Sequence, residues 1–64
     1  MNKYPYRVTA YVENKRVLDR FFRVYSHASE FYEKHCSIGI YTDMYLDEFR
    51  GEAVYGISWW FKDE

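Results

Sequence analysis

Apolar and polar side chains alternate from Tyr4 to Glu13, with Tyr6, Val8, Ala10 and Val12 on one side and Arg7, Thr9, Tyr11 and Glu13 on the other. Period-two alternation predicts a strand with one buried face. Pro5 fits near the start, where a missing backbone donor is tolerated. Asn14-Lys15 then supplies a short turn, because asparagine accepts positive φ. A second strand is predicted from Arg16 to Tyr25. Its core face is Leu18, Phe22 and Val24, interrupted by Arg20, which is expected to snorkel at the sheet edge. Val17, Asp19, Phe21, Arg23 and Tyr25 point away.

Beyond Tyr25 the period lengthens. Ala28, Phe31, Tyr32 and His35 follow the spacing of a single helical stripe. Ser26 serves as the predicted N-cap of a helix over residues 27–36, and Gly39 as its stop. Residues 40–49 support two readings. A helix would be capped by Thr42 and stopped by Gly51. A strand would place Ile40, Thr42, Met44 and Leu46 opposite Tyr41, Asp43, Tyr45 and Asp47. The unbroken alternation and the β-leaning Ile40-Tyr41-Thr42 start favour the strand. A turn at residues 48–52 leads to a last strand from Ala53 to Phe61. Its predicted core face is Ala53, Tyr55, Ile57, Trp59 and Phe61, leaving Val54, Gly56, Ser58, Trp60 and Lys62 outside.

The pattern predicts an α+β fold in the order β-β-α-β-β: a small antiparallel sheet of three to four strands with one helix packed on one face. The 64 residues form one domain. A domain of this size buries only about 60% of its unfolded surface. Aromatics make up 23% of the chain, which argues against disorder and puts the burden of stability on large rings. Cys36 is the only cysteine, so no internal disulfide contributes. The lone thiol, and the lack of a leader-like or membrane-length apolar run, predict a cytoplasmic protein with no membrane association.

Charge is unevenly distributed. Residues 1–34 carry seven basic side chains against four acidic ones, and residues 35–64 carry two against six. Such asymmetry fits a bipolar contact surface or a solvated exterior. Candidate chemistry is sparse. His27, His35 and Cys36 match no zinc spacing, and no fourth ligand accompanies them. Cys36 lies near a helix C-terminus, away from the dipole end that activates a thiolate. Ser26 and Ser37 have no orienting partners, and Gly39, Gly51 and Gly56 are too isolated for a phosphate loop. The acidic residues Asp43, Asp47, Glu48 and Glu52 read as solvated surface in a domain too thin for a deep cleft. No catalytic residue, metal or cofactor is implied, and the chain is not expected to be an enzyme.

The doublets Phe21-Phe22 and Trp59-Trp60 conflict with one-sided burial. Neighbouring side chains of a strand point to opposite faces, so one ring of each pair must leave the core. The registers above place Phe21 and Trp60 outside, with Tyr11, Tyr25, Tyr41 and Tyr45, among Arg7, Arg23, Asp43 and Asp47. Exposed rings interleaved with arginine have the composition of contact hot spots. They also stabilise a sheet through cross-strand pairs alone. Two binding classes use this face: another protein, including a second copy in a homodimer, or single-stranded nucleic acid stacked on the rings. Asp43 and Asp47 weigh against phosphate. Small cofactorless chains with one open aromatic face have the architecture of steric inhibitors and adaptors, among them the short proteins phages direct at host enzymes.

Overall fold

The computed structural model describes residues 3–62. Strands β1 (Tyr6–Val12), β2 (Lys15–Phe22), β3 (Asp43–Arg50) and β4 (Ala53–Phe61) form one antiparallel sheet in the order β2-β1-β3-β4, with helix α1 (Tyr25–Ile38) between β2 and β3. The β-β-α-β-β fold is thus present with all four strands in a single sheet. No helix of the described residues is long and apolar enough to cross a membrane.

The helix lies over β1, β3 and β2. Beneath it Val8, Ala10, Met44 and Leu46 meet Ala28 and Tyr32, the six apolar residues of the core. Tyr6, Leu18, Phe22, Phe31, Cys36, Tyr41 and Trp60 pack around them. Arg20 snorkels as expected, its guanidinium 5.3 Å from the Phe31 ring and 5.9 Å from Phe22. Residues 43–50 are strand, and Met44 and Leu46 point inward as the alternation requires. The strand nevertheless starts at Asp43, leaving Ile40 outside it and 61% exposed.

Turn chemistry shifts the first hairpin by one residue. Val12 pairs with Lys15, so the turn is Glu13-Asn14, with φ of 50° and 69°. Two positive φ angles make the primed turn whose twist matches the flanking strands. Thr42 braces it, because its hydroxyl donates to the Tyr11 carbonyl at 3.0 Å and accepts the Glu13 N–H at 3.1 Å.

The helix begins earlier and ends later than residues 27–36. Val24 is the N-cap residue, in extended conformation and without a side-chain capping bond, and Ser26 lies inside the first turn. Packing overrides the serine signal: the Tyr25 ring meets Tyr6 edge-on at 5.7 Å, which fixes the first turn one position before Ser26 could cap it. Val24 is therefore spent as a cap and is 43% exposed rather than part of the core. Gly39 ends the helix at φ 75°, as expected of a left-handed cap. Because Val24 satisfies no orphan N–H, Val24→Asp should stabilise the protein by about 1 kcal/mol, a gain of about 4–8 °C in Tm for a domain of this size. Thermal melts followed by circular dichroism test this, and an unchanged or lower Tm would contradict the cap assignment.

A bulge changes the last strand. Leu46 pairs with Ser58 but Asp47 pairs with Gly56, so Ile57 is an extra residue without a partner on β3. Ala53 and Tyr55 stay on the helix side as expected, but beyond Ile57 the alternation inverts. Ser58 and Trp60 turn toward the helix, and Trp59 and Phe61 turn away. The Ser58 hydroxyl donates to the Tyr32 hydroxyl at 3.1 Å, which locks the inverted register.

Candidate protein-contact face

With its single helix on one side, the domain is a two-layer slab whose thinnest Cα extent is 17 Å. Among the described residues, none forms a layer over the other face of the sheet. Strand pairing sets its side chains in rows that read across β2, β1, β3 and β4. One row is Phe21, Arg7, Asp47, Gly56; the next is Asp19, Thr9, Tyr45, Trp59; the third is Arg16, Tyr11, Asp43, Phe61.

Aromatic contacts link neighbouring rows. Tyr45 meets Tyr11 and Phe61 edge-on, at 5.7 Å and 6.0 Å between centroids. Phe21 leans toward Phe49 at 6.0 Å. Trp59 lies over Gly56: a Cβ built on that glycine would stand 3.8 Å from the indole ring. The rings thus support one another and still face solvent, with Trp59 61%, Phe61 54% and Phe21 49% exposed. Edge-on pairs of this kind add about 0.5–1.5 kcal/mol beyond the area they bury. They hold the rings in place and so reduce the entropy lost when a partner covers them.

Charge divides the face into two lanes. On the β1/β2 side, Arg7 forms a bidentate pair with Asp19, its Nε 2.8 Å and its Nη2 2.9 Å from the carboxylate oxygens. Its guanidinium also lies 5.4 Å from the Phe21 ring. Hydrogen bonding to Arg7 holds the Asp19 carboxyl below the usual carboxylate range, against the opposing effect of desolvation. Arg16 adds a second, longer contact to Asp19 at 3.7 Å. On the β3 side the carboxylates stand differently. Desolvation pushes the Asp47 carboxyl above its ordinary range, and the charge of Arg7 only partly offsets it. Asp43 is 3.4 Å from the Tyr45 hydroxyl. Burial first, and then the Asp43 charge, push the Tyr45 phenol upward.

Six of the residues predicted from sequence come together here: Arg7, Tyr11, Phe21, Asp43, Tyr45 and Asp47. Four do not. Trp60 is half-buried on the helix side because of the bulge at Ile57, and Trp59 takes the outward place. Tyr25 is the first residue of α1 and rests on Tyr6. Arg23 lies beyond the end of β2, its guanidinium 5.4 Å from the Tyr4 ring. Tyr41 precedes β3 and packs under the helix, 6.1 Å from the His35 ring. Sequence reasoning missed Trp59, Phe61 and Phe49 as members of the face. The one available signal was Gly56, since an isolated glycine inside a strand pattern marks bulges.

Cys36 and His35 are engaged in packing, and His27 is exposed on α1. Burial pushes the Cys36 thiol upward, and its Sγ lies 3.6 Å from the Met44 Sδ. His35 stacks on Phe31 at 4.0 Å, with Nδ1 3.0 Å from the Phe31 carbonyl oxygen. Among the described residues, no three His, Cys, Asp or Glu side chains converge as metal ligands would. Comparison with protein-family models, with curated proteins and with solved structures gives no significant match to this chain.

Proposed function

We propose that this chain is a non-catalytic protein-binding module that acts by laying its open sheet face against a protein surface, in the manner of a steric inhibitor or adaptor. The observation that carries the reading is the pair of solvent-facing rings Trp59 and Phe61 on β4, beside Tyr45 and the carboxylates of Asp43 and Asp47, with Phe21 exposed at the opposite edge of the same face. Large exposed rings gathered on one uncovered face mark association sites. Single-stranded nucleic acid is the second reading, since bases stack on aromatics. The charges on the face favour protein over phosphate: Arg7 and Arg16 are both paired with Asp19, and two carboxylates occupy the central β3 lane.

Affinity capture with immobilised protein tests the proposal. Proteins held by the wild type should be lost by a Trp59→Ser/Phe61→Ser variant, and retained by a control changed on the outer helix surface at Glu30 and Lys34. Retention should persist in about 0.5 M salt, where binding dominated by phosphate contacts weakens by orders of magnitude. Equal capture by wild type and the face variant would overturn the reading. Salt-sensitive binding of a single-stranded oligonucleotide, quenching Trp59 fluorescence, would replace it with the second.

A further inference from the structure

The open face is complementary to itself. We propose that its occupant is a second copy of this chain, stacked sheet on sheet about a two-fold axis that runs parallel to the strands between β1 and β3. This deepens the protein-binding reading and rests on it.

Rotation about an axis parallel to the strands leaves every residue at its own level along that axis, so each row of the face lies over the same row reversed. Strand β1 then covers β3 of the other copy, and β2 covers β4. In the first row, Phe21-Arg7-Asp47-Gly56 meets Gly56-Asp47-Arg7-Phe21. Arg7 of each copy stands over Asp47 of the other, and Phe21 over Gly56, where it meets the edge of the Trp59 ring that lies on that glycine. In the second row, small Thr9 stands over large Tyr45. In the third, Arg16 covers the Phe61 ring, a cation–π arrangement, and the Tyr11 hydroxyl faces Asp43. Nearest the axis, Arg7 meets Asp47, Thr9 meets Tyr45 and Tyr11 meets Asp43; farther out, Arg16 meets the Phe61 ring and Asp19 the Trp59 ring.

Charge also rejects the other face-to-face arrangement. A two-fold axis perpendicular to the strands would place β3 over β3 and β1 over β1. The Asp43/Asp47 lane would then oppose itself, and like charges across an interface are costly. Aligned sheets cross at about −30°, so the pairs nearest the axis, Arg7 with Asp47 and Tyr11 with Asp43, keep their register best.

Size sets the strength. Four strands about 4.8 Å apart and seven residues of about 3.3 Å each project to roughly 450 Å² per copy. Protruding rings raise the accessible area above that projection, which still places the dimer at the low end of specific interfaces. A reversible dimer with Kd on the order of 10 µM is expected.

Sedimentation velocity between about 1 µM and 1 mM tests this, a range that brackets the expected Kd. The wild type should pass from monomer to dimer. Asp47→Arg should be monomeric throughout, as should Arg7→Glu, while an equimolar mixture of the two should dimerise, because each lost attraction is restored between unlike copies. Arg7→Glu also removes the Asp19 pair, so Gly56→Met supplies a second variant whose added Cβ meets nothing nearer than Asp47 Oδ1 at 3.7 Å and the Trp59 ring at 3.8 Å, and whose fold is checked by circular dichroism. It should weaken the dimer at least tenfold with an unchanged circular dichroism spectrum. A monomeric wild type at the highest concentration, or a dimer indifferent to Asp47→Arg and Gly56→Met, overturns the second copy as occupant. Should the monomeric protein still capture a different protein through Trp59 and Phe61, the broader reading stands. Should it capture nothing through them, both fall.

Discussion

Leu46→Ala should leave much of the protein unfolded at 25 °C. Leu46 is 1% exposed at the centre of β3, between Val8 on β1 and Ser58 on β4 and below α1. Truncating a fully buried leucine costs about 2–5 kcal/mol, from lost transfer free energy and from the cavity that remains. Total stability for 64 residues is only about 3–10 kcal/mol at typical values per residue. With one cysteine, no disulfide limits the loss by restraining the unfolded chain. Urea titration followed by circular dichroism should show the midpoint fall to a small fraction of the wild-type value. Ile40→Ala, at a site 61% exposed, should stay within about 0.5 kcal/mol of wild type. A loss below about 1 kcal/mol for Leu46→Ala would mean that β3 does not present Leu46 to the core.

That prediction rests on a strand whose alternation could be read directly. Tyr6, Val8 and Ala10 in β1, and Met44 and Leu46 in β3, repeat with period two and carry no internal irregularity on the core side, so sequence assigns their faces. The ambiguity between helix and strand over residues 42–50 resolves in favour of alternation, because a helix would have scattered Met44 and Leu46 over different sides. Features set by long-range contact were hidden. Ser26 is a good cap by type, yet the helix starts where Tyr25 can rest on Tyr6, 19 positions earlier in the chain. Tyr41 alternates correctly with Asp43, but the strand has not begun there, and its ring turns under α1 toward His35. The candidate face was legible on β1, on residues 43–47 of β3 and at Phe21, and illegible at Phe49 and on β4. One extra residue at Ile57 gives that strand two parities, and no pattern based on a single parity can place residues on both sides of it.

The tryptophan pair therefore provides the sharpest separation between fold and association. Trp60 packs half-buried against the core beside Met44, whereas Trp59 lies over Gly56 on the open face, 61% exposed. Trp60→Ala should cost about 2–3 kcal/mol, less than the full value for a completely buried aromatic, and should lower the urea midpoint accordingly. Trp59→Ala should cost less than about 1 kcal/mol, because its main intramolecular contact is one glycine and the ring edges around it. Its effect belongs to binding: a large exposed aromatic anchor on a contact surface, when truncated, typically weakens association by tenfold or more. Fluorescence separates the two roles in one sample series. With Trp60→Phe, the remaining Trp59 should emit to the red and be readily quenched by acrylamide at low protein concentration, then become protected as the face is covered. With Trp59→Phe, the remaining Trp60 should emit to the blue and be shielded at every concentration. If the variants exchange these behaviours, β4 has no bulge at Ile57, its outer half runs in the uninterrupted register, and the ring offered to a partner is Trp60.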